Sequence, residues 1–160
     1  MPIEISSLRN FDDLKESAKK YIKKYDNSII PISYARVLRS LETDWKLGKL
    51  VKIAIKDGEI IGGICGDFLE IDYCPYLIYS QKHCMIYSEG YSSAIALKLL
   101  HEELYRKGEL LGAHLIYSTA NFNDVNLSFV KILERFGWGR KGYLAYRRTS
   151  HYMTLVANSR

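Results

Sequence analysis

Apolar and polar residues alternate from Pro2 to Ser6 (PIEIS), the period-two pattern of a short strand with one face turned inward. The period changes after Asn10. Phe11, Leu14, Ala18, Tyr21 and Ile22 fall on one helical stripe, and the lysines of FDDLKESAKKYIKKY fall on the others. Asn10 stands where a cap is needed, Asp12 and Asp13 lie near the start and lysines near the end, which suits the helix dipole. DNSIIP breaks the pattern. ISYARVLRSLETDW resumes it, with Ile32, Ala35, Leu38 and Leu41 at helical spacing, and predicts a second, shorter helix.

KLVKIAIKDGEIIGGICGDFL reads as a hairpin, two β-rich runs around Asp57-Gly58, a dipeptide favoured in type I′ turns because both central residues need positive φ. Gly62 and Gly63 inside its second strand permit a bulge or a close backbone approach. Residues 70–80 read either as loop or as loop plus a short strand, and KHCMIYS as a strand. SSAIALKLLHEELYRKG predicts a helix stopped by Gly108, with Ile95 and Leu99 on its apolar stripe. AHLIYS is a further strand, and NDVNLSFVKILERFG a helix closed by Gly137. The tail predicts two antiparallel strands, 138–146 and 151–156. The order β-α-α-β-β-β-α-β-α-β-β implies one mixed α/β domain over residues 1–160. A parallel strand–helix–strand unit is expected at its centre, with antiparallel strands flanking it.

The chain has 160 residues, enough for one substantial core without staples. Cys65, Cys74 and Cys84 are odd in number and lack C-x-x-C spacing, which argues against a disulfide framework or a zinc site; the four histidines show no ligand spacing, so no metal is expected. The first residues have neither the basic head nor the apolar core of a secretory signal, and no run of apolar residues is long enough to cross a bilayer, so a cytoplasmic location is expected. A net charge of +5 draws anions, nucleic acid included. The basic residues form no single stripe, however, and no nucleic-acid motif is present.

The segment YSEGYSSAIALKLL, residues 87–100, puts the smallest side chains where a strand turns into a helix. A helix start leaves backbone N–H groups without partners and carries the positive end of the dipole, so an uncluttered start accepts a phosphate. Gly90, Ser92, Ser93, Ala94 and Ala96 keep the approach clear, and the same residues also suit close packing of the helix on the sheet.

Here the chain resembles the GNAT N-acetyltransferases. Their Gln/Arg-x-x-Gly-x-Gly/Ala segment at a strand-to-helix turn is matched in register by Tyr91-Ser92-Ser93-Ala94-Ile95-Ala96, with Leu99-Leu100 following. Their later helix, opened by Asn and closed on Gly-aromatic, is matched by Asn126 to Trp138, and the hairpin IAIKDGEIIGGICGDF looks like their second and third strands. Tyr91 stands in place of Gln or Arg, Ala94 in place of the first glycine, and Leu133 where many members carry a general-acid tyrosine.

The resemblance implies the acyl-CoA N-acyltransferase fold, a central, mostly antiparallel mixed sheet flanked by about four helices. It further implies transfer of an acyl group from acetyl-CoA, as co-substrate, to a small-molecule or protein amine; a homodimer is compatible with it, and the sequence does not fix the oligomeric state. Met85, Ile86 and Tyr87 would pair with the pantetheine arm. Tyr91, Ser92, Ser93, Ala94, Ile95, Ala96 and Leu97 would surround the pyrophosphate, with the N–H groups from Ser93 to Leu97 as donors, and Asn126 would bond pantetheine amides. Glu89 is a candidate base, with Asp72 and Glu70 beside it; Tyr87, Tyr117 and Ser128 are candidate acids for the leaving thiolate. Tyr25, Tyr34 and Tyr146 are candidates to line the amine pocket. A non-catalytic binding or regulatory protein on the same scaffold and a nucleic-acid-binding protein are the alternatives.

Overall fold

The computed structural model describes residues 2–24, 33–72, 75–118 and 127–139. Nine elements follow in the order β1 (Glu4–Ser7), α1 (Phe11–Lys24), α2 (Tyr34–Lys46), β2 (Leu50–Lys56), β3 (Glu59–Leu69), β4 (Ile78–Ile86), α3 (Gly90–Leu110), β5 (Leu115–Tyr117) and α4 (Leu127–Arg135) among the described residues. The strands lie in one sheet in chain order; β1 to β4 are antiparallel neighbours and β5 runs parallel to β4, with α3 as the crossover. This is the mixed, mostly antiparallel sheet with helices that the sequence pattern implies. The expected tail strands lie outside the described residues.

Local chemistry explains the joints. Asn10 Oδ1 accepts from the Asp12 N–H at 3.1 Å at the head of α1, and Ser33 caps α2 by accepting from Arg36 N–H. Asp57 and Gly58 both have positive φ, 53° and 81°, the backbone a type I′ hairpin turn requires. The β2–β3 register shifts between Ala54 and Ile55, and a side chain at Gly62 would come within 2.9 Å of the Met85 carbonyl, so that glycine serves both a bulge and a close approach.

One open reading is settled and two expectations are corrected. β4 begins at Ile78, so the segment left open between loop and strand supplies the first part of a nine-residue strand. Gly108 does not end α3, which continues to Leu110; the left-handed residue past its end is Gly112, φ 75°. Gly108 is instead buried, and any side chain there would overlap Ile116 of β5. The buried face of α3 is also turned from the expected stripe. It carries Ala96, Leu97, Leu100, His101, Leu104 and Gly108, while Ile95 and Leu99 are half-buried.

The sheet separates two apolar layers. Consecutive strand residues go to opposite sides: Ile53, Cys65 and Met85 join Leu8, Phe11, Leu14 and Leu41 of the α1–α2 layer. Ala54, Ile64 and Cys84 join Leu97, Leu100, Leu104 and Leu133 of the α3–α4 layer. The two faces of β4 therefore look into different surroundings, which matters for the site.

Candidate active site at the end of strand β4

α3 starts at Gly90, whose φ of 65° turns the chain sharply out of β4. With the helix beginning there, the N–H groups of Gly90, Tyr91 and Ser92 have no carbonyl one turn behind them within the helix. Glu89, at the capping position, makes no side-chain capping bond to them. Tyr91 is exposed, and nothing crowds a side-chain position at Gly90. The open donors thus lie earlier than the expected Ser93–Leu97. The N–H groups of Ala94 to Leu97 are directed at helix carbonyls, and Ala96 and Leu97 are buried against the sheet.

Lys56, the last residue of β2, sends its ammonium to this helix start and donates to Ser92 Oγ at 2.9 Å. A cation beside the positive end of a helix dipole is unfavourable alone and favourable once an anion joins them. The exposed helix start, a serine hydroxyl and a half-buried lysine make one anion-receiving corner.

Along β4 the second feature is an open edge. β4 and β5 pair at Ile78↔Leu115, Tyr79↔Ile116 and Ser80↔Tyr117. Beyond Ser80, no strand among the described residues pairs with β4 on that side, and β4 runs on to Ile86 at the head of α3. Where the strands part, Ser118 Oγ lies 2.6 Å from Gln81 Oε1 and 2.9 Å from His101 Nε2. His101 Nδ1 donates to the Leu97 carbonyl at 2.9 Å, which leaves Nε2 as the acceptor; burial pushes its pKa down to about 4, against the opposing pull of that carbonyl. The imidazole is therefore neutral and pins β4, β5 and α3 together at the fork.

The third feature is a bulge. Cys65 pairs with His83 and Gly66 with Gln81, so Lys82 is an extra residue in β4. Its effect is visible in where the side chains go. Gln81 reaches His101 on the α3 side, Cys84 joins the α3 core, yet Lys82 and His83 both turn to α2. Lys82 Nζ donates to Asp44 Oδ2 at 2.7 Å, and His83 Nε2 lies 3.3 Å from Ser40 Oγ one helical turn earlier on α2. Asp44 is 1% exposed. Its burial alone would raise the carboxyl pKa, but the hydrogen bond and charge of Lys82, with Cys65 and Lys49 in support, hold it below the usual value. Lys49 in turn binds Asp67.

The same architecture recurs in solved structures. AAC(6')-Iy in complex with the bisubstrate analog CoA-S-monomethyl-acetylneamine matches with a TM-score of 0.65 at 15% identity, over 93% of this chain and 99% of that one. A ribosomal-protein-alanine N-acetyltransferase from Brucella melitensis biovar Abortus 2308 matches at 0.63 and 16%, over 93% and 100%. The chain has the GNAT acetyltransferase fold. A transcriptional regulator from Bacillus halodurans C-125 matches equally well, at 0.65 and 15% over 92% and 100%, so the GNAT fold by itself does not fix the chemistry. No family model matches the sequence, and no curated protein does.

Placed on the GNAT fold, the expected residues divide. Tyr87, Tyr91, Ser92, Ser93, Ala94 and Ile95 gather around the β4–α3 junction, with Met85 buried in the α1–α2 layer and Ile86 half-buried. The Tyr87 hydroxyl points back to Met85 Sδ at 3.9 Å, and its N–H bonds the Ile61 carbonyl at 2.8 Å. Glu89 is exposed at the helix start, as are Glu70 and Asp72 in the β3–β4 connection. Tyr34 donates to the Lys15 carbonyl, tying α2 to α1. Ser128 belongs to the first turn of α4, while Asn126, Tyr25 and Tyr146 lie outside the described residues. Leu133 is a core residue, 5% exposed. Cys84 is buried, and burial pushes its thiol up to about 12, so it is a packing residue and not a nucleophile.

Four residues of the site were missed from the sequence: Lys56, Gln81, His83 and Ser118. Lys56 ends a strand and looks like any surface lysine. Ser118 lies just past a short strand and is equally unmarked, whereas Gln81 and His83 left a trace, since Ser80-Gln81-Lys82-His83 is a run of four polar residues in a strand, where alternation predicts none.

Proposed function

We propose that the protein is an acetyl-CoA-dependent N-acyltransferase that acts on an amine. The observation that carries this reading is the succession of three features: the bulge at Lys82, the side of β4 beyond Ser80 on which no strand among the described residues pairs, and the unblocked helix start at Gly90–Ser92 with Lys56 beside it. An extended pantetheine arm suits the side of β4 beyond Ser80 as an added strand. The diphosphate suits the helix start, where N–H donors, the Ser92 hydroxyl and the Lys56 ammonium supply complementary charge. The acyl group then falls near the fork and the bulge. Direct attack of a neutral amine on the thioester needs positioning, a donor for the developing oxyanion and a proton acceptor. An irregular stretch of β4 at Lys82 supplies backbone groups for the second of these.

The GNAT-fold neighbours with acetyltransferase names support this reading, and the CoA conjugate bound by one of them supports acetyl-CoA as donor. Thermal stabilisation by acetyl-CoA, followed by thiol release in the presence of an amine panel, tests it. Absence of any stabilisation at millimolar acetyl-CoA overturns it. The second reading, a binding or regulatory protein, draws on the fold shared with a transcriptional regulator and on Leu133 in the core. It predicts acetyl-CoA binding without turnover.

A further inference from the structure

The bulge in β4 does more than open the strand: it places an imidazole on the α2 side of the sheet that the scheme above leaves unused. We propose that His83 is the base that accepts the proton of the attacking amine, with Ser40 as the residue that positions its ring. This rests on the acyltransferase reading.

Without the extra residue at Lys82, alternation would send only one of the pair Lys82 and His83 to this side. With it, Lys82 neutralises Asp44, and His83 is left free of a carboxylate partner and facing a small cavity lined by Leu14, Leu41, Ile53, Cys65 and Met85. Met85, two residues on, lies in the stretch of β4 that would pair with the donor, so the ring stands on the acyl-binding strand itself. Ser40 engages Nε2 at 3.3 Å. With Nε2–H donated to the hydroxyl, Nδ1 keeps its lone pair for the proton.

The surroundings keep that ring unprotonated at neutral pH. Burial, then the charge of Lys82, lower its pKa from the ordinary 6.5, and only Asp44 opposes them. The groups around it are Lys82 on its own strand, Ser40 and Asp44 from α2, Cys65 from β3 and Lys52 from β2; α1 contributes apolar Leu14. The Cys65 thiol does not compete, because burial and then Asp44 push it up to about 12. The candidate carboxylates Glu89, Glu70 and Asp72 are all exposed.

In the step itself the amine nitrogen bonds to the thioester carbonyl carbon, and its proton passes to the imidazole. The C–S bond then breaks with its electron pair going to sulfur. The proton returns through solvent to the thiolate, so the products are an amide and CoA, and the imidazole ends as it began.

The test combines binding, spectroscopy and rate. Calorimetry with acetyl-CoA is run first on wild type, His83→Gln, His83→Ala and Ser40→Ala. Equal affinity in all four is expected, whereas no binding to wild type removes the acyltransferase reading and this inference with it. The His83 imidazole is titrated by nuclear magnetic resonance in the free protein, and thiol release from acetyl-CoA is followed against pH with methylamine and with water as acceptors. For wild type, kcat/KM expressed on the concentration of neutral methylamine rises along an acid limb whose midpoint coincides with the imidazole midpoint, below 6.5. His83→Gln lowers the rate by about a hundredfold or more and loses that limb. Added imidazole restores turnover to His83→Ala, and Ser40→Ala costs only a few-fold. A protein that binds acetyl-CoA but shows no catalysed thiol release, a limb that survives in His83→Gln, or midpoints that differ by a pH unit each overturns the assignment.

Discussion

Replacing Lys56 by Met removes one positive charge from the head of α3 and keeps the apolar stem. The ammonium sits 2.9 Å from Ser92 Oγ, so a diphosphate seated on the Gly90–Ser92 amides meets it at close range. Two unit charges about 4 Å apart attract by about 4 kcal/mol at an effective dielectric of about 20 and about 1 kcal/mol in water. Lys56 is half-buried. After its own desolvation, a net loss of about 1–2 kcal/mol is expected, or about a 5- to 30-fold rise in Kd for acetyl-CoA. Calorimetry measures it, with two internal controls. S-acetylpantetheine lacks the diphosphate and binds both forms alike. Lys19→Met, which loses only an exposed pair with Glu16, leaves Kd unchanged. The Lys56→Met deficit shrinks in high salt, because the Debye length falls from about 8 Å at physiological strength to about 3 Å at 1 M. An unchanged Kd for acetyl-CoA, or an equal loss for S-acetylpantetheine, refutes the placement of the diphosphate.

Ala94→Asp puts a carboxylate in the first turns of α3, facing the incoming diphosphate, and abolishes acetyl-CoA binding by calorimetry while the melting curve stays close to wild type. Gly108→Ala forces a methyl into Ile116 and costs about 1–3 kcal/mol in urea denaturation, with the β4–β5 fork the first region to lose protection. His101 titrates at about 4 in the fold against 6.5 unfolded. Between those values the unfolded chain binds a proton that the fold refuses. The stability it contributes is therefore complete above 6.5 and is lost as pH falls towards about 4. At about 1.4 kcal/mol per pH unit this amounts to about 3 kcal/mol, seen as a slope in denaturation midpoints that His101→Asn removes.

The elements were largely legible because their signals are local. Asp57-Gly58 demanded its turn, Asn10 its cap, and the period changes marked where strands became helices. Misreadings came where a residue answers to a distant neighbour. Gly108 looks like a helix stop, but it is a glycine because Ile116 of β5 packs on it. The buried face of α3 is hard to read because His101, polar in any pattern, is buried and bonded to Gln81 of β4 and to Ser118 just past β5. The start of β4 is ambiguous in the sequence because polar Ser80 and Gln81 mask an inward-facing strand. The helix start proposed as an anion site is marked in the sequence by its small residues. Lys56 is not, since it arrives from 36 positions away, and the bulge that turns His83 towards α2 shows in the sequence only as four polar residues in a row.

Amide hydrogen exchange at residue resolution, with and without acetyl-CoA, tests most directly whether β4 and the head of α3 hold the donor. Binding is expected to slow exchange at Gly90, Tyr91 and Ser92 and along β4 from Gln81 to Ile86, and to leave β1 unchanged. Saturating acetyl-CoA that protects neither stretch, or protects amides elsewhere, contradicts the proposed site.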